Sequence, residues 1–167
     1  MLKILDSQPW HTTGSRLLQQ LIGTVMLYRC FTEIRYIPIL FDALPGQPFP
    51  WMYYLGYALW GIGGLSLLFG SWSRLGAVFV LAGFQILESH TAVHDGGDNI
   101  IRLVSMYLIA VDPNLTRSGA TGWKVFLHNL GVLAILGNLA ILYVVSGLAK
   151  VNGDLWYNGT ALYYMLK

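Results

Sequence analysis

The chain has 167 residues, 55% of them hydrophobic and only 11% charged, with a formal net charge of +2. A soluble globular domain carries about 25% charged residues, so the composition excludes a large water-soluble domain, and the small net charge without a basic run excludes a nucleic-acid-binding surface. A mean hydropathy of +0.55 points instead to a single all-α membrane domain over residues 1–167, a multi-pass transmembrane helical bundle of about five segments.

Met1 to Ser15 contains Pro9, His11 and Gly14 but no apolar core of signal-peptide length, and reads as a short interfacial tail. A first span is expected over residues 16–41. It carries Arg29, Glu33 and Arg35, and the four-residue spacing of Arg29 and Glu33 suits an ion pair on one helical face. That pair serves either as glue between helices or as the lining of a polar cavity. Cys30 is the one cysteine, which excludes an intrachain disulfide and a Cys-based metal site within one copy. Pro45, Gly46, Pro48 and Pro50 then break the chain before a second span at 51–69. Its glycines, Gly56, Gly61, Gly63 and Gly64, allow helices to approach closely in lipid.

Ser71 to Arg74 forms a tight connector to a third span at 75–90, and an acidic, glycine-bearing connector leads to a fourth apolar run at 99–111. That run is short for a hydrocarbon core of about 30 Å, and Asp112-Pro113 stops it. A fifth span is expected at 123–149. The tail at 151–167, with Trp156, Tyr157, Tyr163 and Tyr164, suits an interfacial helix or the start of a further span. Lys3, Arg16, Arg74, Arg117 and Lys124 fall in the N-terminal tail and in the second and fourth connectors, while the first and third connectors carry no Lys or Arg. The positive-inside rule therefore predicts a cytoplasmic N-terminus, with the Asp95–Asp98 connector and the Lys150 end both facing outward.

Two stretches could carry chemistry: His94-Asp95-Gly96-Gly97-Asp98-Asn99 and Ser146-Gly147-Leu148-Ala149-Lys150. Each places polar groups at the end of an apolar segment, where membrane proteins handle polar cargo. Asp98 is positioned to cap the fourth helix and to pair with Arg102, four residues on. Structural pairing alone would account for both residues; the alternative is a site in which Lys150, Asp98 and His94 are the catalytic candidates and Asp95, Arg102 and Trp156 line the pocket. His90 and His94 are also four apart, but they lack a fixed third ligand and no metal is expected. Lys150 ends the apolar run. Held in apolar surroundings, a lysine favours its neutral amine and can act as a base; otherwise its stem lies in hydrocarbon and its head reaches the interface.

Taken together, Gly96-Gly97-Asp98-x3-Arg102-Leu103 and, after an apolar run, Tyr143-x2-Ser146-Gly147-Leu148-Ala149-Lys150-x5-Trp156-x2-Gly159-Thr160-Ala161-Leu162-Tyr163-Tyr164 resemble the HTTM family. This is the membrane domain shared with vitamin K-dependent gamma-carboxylase and with bacterial proteins similar to sporulation-delaying protein B. The resemblance covers about residues 74–164. It implies that Lys150 matches the lysine that serves as base toward reduced vitamin K, at the mouth of a cavity for a quinone-like or lipid ligand. Trp156 and the His94–Asp98 connector would be its neighbours. The carboxylase continues well beyond the matching region. It also has a single-histidine, asparagine-rich pattern where this chain has Asp95-Gly96-Gly97-Asp98, which is closer to the bacterial relatives, so glutamate carboxylation is not carried over.

The resemblance thus implies a bacterial inner-membrane protein, either a piece of a longer chain or a minimal member that works with a partner. Two functions stay open. One is lysine-based proton transfer on a quinone-like or lipid ligand, or peptide modification. The other is a non-catalytic accessory subunit, surrounded by membrane lipids and packed against another membrane protein.

Overall fold

A computed structural model describes residues 5, 8–37, 51–70, 72–88, 96–115 and 122–153. Among these residues no strand occurs. The helices are α1 (Thr12–Glu33), which runs into a short 3-10 turn at Ile34–Tyr36, then α2 (Trp51–Phe69), α3 (Ser73–Glu88), α4 (Gly96–Leu108) and α5 (Trp123–Asn152). The chain divides into two compact units, Met1–Val132 and Leu133–Lys167. Residues 123–132 of α5 therefore belong to the first unit.

Within the first unit α1 to α4 run alternately up and down, each antiparallel to the one before. Glycine sets the spacing of the first pair. A Cβ on Gly23 of α1 would lie 2.6 Å from the Gly64 carbonyl oxygen of α2, inside contact distance. Near the opposite end of the same pair the Cys30 thiol donates to the Tyr57 carbonyl at 3.3 Å. α2 meets α3 in the same way, a Cβ on Gly63 falling 2.8 Å from the Gly76 carbonyl. Met26, Leu67, Ala77, Val80, Phe84 and Leu108 are fully buried. α2 ends at Gly70, whose φ of 75° is the left-handed cap that favours glycine. Its amide donates to Ser66 O at 2.8 Å, and Arg16 of α1 donates to Phe69 O at 2.7 Å, occupying one of the carbonyls the helix end leaves over.

The helical class agrees with composition. The expected five-span bundle is not confirmed: among the described residues there are five helices, of which two, α2 and α5, are long and apolar enough to cross a membrane. The physical reason is length and charge. α3, with 16 residues, and α4, with 13, reach about 24 Å and about 20 Å, short of a core of about 30 Å. α1 is long enough, but its 22 residues include Arg16, Arg29 and Glu33. The ends also shift: α4 begins at Gly96 rather than Asn99, and α5 runs on to Asn152.

A second polar contact fixes the N-terminal segment. His128 and Asn129 on α5 are both fully buried. Asn129 accepts from the Trp10 amide at 2.7 Å and donates to Leu5 O and Gln8 O at 2.9 and 2.8 Å. His128 Nδ1 accepts from the Asp112 amide at 3.0 Å. The ring proton therefore sits on Nε2, 2.7 Å from the Trp10 carbonyl that accepts it.

These contacts set two expectations for thermal or denaturant unfolding in detergent. Gly23→Ala should destabilise the protein by about 1–3 kcal/mol through overpacking. Gly137→Ala, where an added Cβ meets nothing within 4 Å, should be neutral or stabilise by about 0.5–1 kcal/mol, the usual gain on replacing a mid-helix glycine. Equal effects at the two positions would contradict the close approach of α1 and α2.

Candidate functional site

Three charged residues of the first unit, Arg29, Glu33 and Asp98, meet where the C-terminal part of α1 faces the start of α4. Arg29 and Glu33 lie one turn apart on α1 and pair at 2.7 Å through Nε and Oε1, as their spacing predicts. The same guanidinium reaches across to Asp98 on α4, donating through Nη1 to the carboxylate. Its Cζ sits 4.8 Å from the centre of the Trp60 ring on α2, within cation–π range. Tyr57 hydroxyl, also on α2, donates to Glu33 Oε2 at 3.1 Å. One arginine thus ties together three helices and serves two carboxylates and an aromatic face.

Asp98 departs from expectation. It was expected to pair with Arg102 on its own helix; instead it pairs with Arg29, and Arg102 turns to Glu88 at the end of α3, with Gln85 Oε1 3.3 Å away. The reason is partner geometry. A carboxylate on a neighbouring helix stands level with each arginine, so Arg102 bonds to Glu88 of α3 rather than within its own helix, and Arg29 adds Asp98 of α4 to its pair with Glu33. Nor does Asp98 stand ahead of the helix as a cap. α4 starts at Gly96, which puts Asp98 inside the first turn, where a negative charge favours the helix dipole.

The other expected site residues are placed as follows. His94, Asp95 and Trp156, together with His90, lie outside the described residues. Lys150 belongs to the second unit and occupies the last turn of α5, where a cation complements the carbonyl end of a helix. Among the described residues no group of three or more His, Cys, Asp or Glu gathers as a metal site.

Sequence reasoning passed over Glu88, Tyr57, Trp60, His128, Asn129 and Gln19. Glu88, His128 and Asn129 carried a signal: each is a polar side chain inside or at the edge of an apolar run, where burial requires a partner. Tyr57 and Trp60 carried none, because their roles depend on Arg29 arriving from another helix. Compared with models of protein families, with curated proteins and with solved structures, the chain finds no match in any of the three.

A double-mutant cycle tests the pairing. Arg29→Met and Asp98→Asn should couple by about 1 kcal/mol or more, as residues in one ion-pair network do. Arg102→Met and Asp98→Asn should couple by less than about 0.5 kcal/mol, close to additive. The reverse ranking would restore the pairing expected within α4.

Proposed function

We propose that this chain is a bacterial integral-membrane protein of the HTTM type, in which the Lys150 amine acts as a base toward a membrane-borne ligand of quinone-like or lipid character. The observation that carries the reading is the position of Lys150. It is the sole charged side chain of α5 after Lys124, and it stands in the final turn of a 30-residue helix. At 1.5 Å per residue that helix is about 45 Å long, enough to carry the lysine from one face of a bilayer to the other. The ordered block from Tyr143 to Tyr164 that resembles the HTTM family is built around this same lysine.

On this reading the chain is a multi-pass helical membrane protein with its N-terminus in the cytoplasm of a bacterial cell. Arg16 and Arg74 favour that orientation. Arg16 caps the end of α2, and Arg74, at the start of α3, pairs with Asp112 at 3.5 Å beyond the end of α4, so both cations stand at the same end of the first unit. The chemistry asked of Lys150 is limited: its neutral amine takes one hydroxyl proton from the ligand and becomes an ammonium.

Reduced naphthoquinone (menadiol) offered to the protein in nanodiscs, with dissolved oxygen as the electron acceptor, provides the test. Wild type should speed its oxidation. Lys150→Ala should lower the protein-dependent rate by about 100-fold or more, the usual contribution of a general base, and Lys150→Arg should not restore it, because a guanidinium stays protonated. Equal rates in wild type and Lys150→Ala would overturn the assignment.

A second reading, a non-catalytic subunit of a larger membrane complex, is favoured by a different observation. Ile141, Tyr143, Val144, Val145, Leu148 and Val151 of α5 are all exposed, an apolar surface on more than one side of the helix. Stoichiometric co-purification with another membrane protein, together with no turnover of menadiol by wild type, would replace the first reading with this one.

A further inference from the structure

The first unit hides polar side chains that the ion-pair network does not use. Gln19 of α1 is 0% exposed, yet neither its amide nitrogen nor its carbonyl oxygen has a protein partner. Ser105 of α4 is likewise 0% exposed with its hydroxyl unpartnered. Burying such groups unsatisfied costs about 1–3 kcal/mol each, and buried polar groups in native proteins are almost always satisfied, by water where protein does not serve.

Their axial positions bring them to nearly one level. α1 and α4 are antiparallel and are tied together where Arg29 meets Asp98. Measured from that pair, Gln19 lies ten residues, or about 15 Å, toward the start of α1, and Ser105 lies seven residues, or about 10 Å, in the same direction along α4. The two levels differ by about one helical turn. Ser15, one turn beyond Gln19, is also buried. Between Gln19 and Arg29, on the same buried face of α1, lies Met26, 0% exposed. The upper end is open: the side chains of Arg29, Glu33 and Asp98 retain 22%, 29% and 24% of their exposure.

We infer that a water-binding seam runs inside the first unit between α1 and α4, from a mouth at Arg29, Glu33 and Asp98 down to Gln19 and Ser105, passing Met26. Water suits the groups present. Gln19 offers both a donor and an acceptor, Ser105 offers one hydroxyl that can do either, and neither carries a charge that would select an ion. The seam stands apart from the Lys150 assignment, since every residue in it belongs to the first unit and none is asked to react.

Radiolytic hydroxyl-radical footprinting of the full chain in nanodiscs reads this directly. Radicals generated from bound water oxidise a methionine thioether only where water lies beside it. Met26 should be oxidised promptly in wild type despite its burial, and Gln19→Leu should reduce that oxidation severalfold. Ser105→Ala, a milder change, should reduce it in the same direction and covers the case in which Gln19→Leu fails to fold, as judged by circular dichroism. A Met26 that stays unmodified in folded wild type would overturn the inference, as would oxidation unchanged in both folded variants.

Discussion

Arg29 carries more of the first unit than any other side chain. Its guanidinium bonds Glu33 one turn above it, crosses to Asp98 on α4 and rests on the Trp60 ring of α2. Because Tyr57 of α2 also donates to Glu33, the carboxylate nearest the end of α1 is held from two helices at once. A planar fork of donors suits such bridging, whereas a lysine ammonium, a compact point charge, would not hold the same partners in fixed directions. Charged pairs away from bulk water contribute less by net stabilisation than by penalising every arrangement in which a partner is lost. The network therefore selects the register of α1, α2 and α4 more than it strengthens their packing.

At the opposite end of the same unit, where Arg74 pairs with Asp112, two neutral residues of α5 hold the backbone. Asn129 spends its carbonyl and both amide hydrogens on the backbone of Leu5, Gln8 and Trp10, and His128 bridges Trp10 and Asp112. Backbone groups of an irregular segment need partners wherever water is scarce. Two adjacent polar residues on α5 supply them for the N-terminal segment and for the turn after α4. Between the two polar ends, packing is set by glycines at which backbones nearly touch, Gly23 with Gly64 and Gly63 with Gly76. Such contact suits helices that association in lipid cannot drive by hydrophobicity alone.

What the sequence disclosed follows from the range of each interaction. The Arg29–Glu33 pair was legible because both residues lie on one helix four apart, and the apolar helices α2 and α5 because apolar length is a local property. Asp98 with Arg102 was misread for the same reason. Spacing on one helix suggested a partner, but Arg29 and Glu88 come from other helices, and nothing local announces which carboxylate an arginine will meet. Gln19 was invisible, since a glutamine near the start of an amphipathic helix is ordinarily exposed and only tertiary packing buries it. Lys150 was legible as a cation closing an apolar run, and the structure places it in the last turn of that helix; its chemistry is a matter of what meets it.

On the proposed membrane reading, the spacing of the charged levels constrains how the first unit would sit in a bilayer. Arg16 and Arg29 are thirteen residues apart on α1, about 20 Å along the axis, whereas the hydrocarbon core is about 30 Å thick. If the Arg16 end stands at one surface, the Arg29 level lies inside the membrane rather than at the far surface. Arg29, Glu33 and Asp98 carry one positive and two negative formal charges and Arg35, two residues beyond Glu33, adds a positive one, so this level holds four formal charges, each costly away from water. Such a charge sealed in a dry interior would cost several kcal/mol. The partial exposure of the Arg29, Glu33 and Asp98 side chains resolves the conflict only if water descends to meet them. Once water reaches that depth, the unpartnered Gln19 and Ser105 lie on the continuation of the same route, and the charged mouth and the buried amide become parts of one hydrated feature.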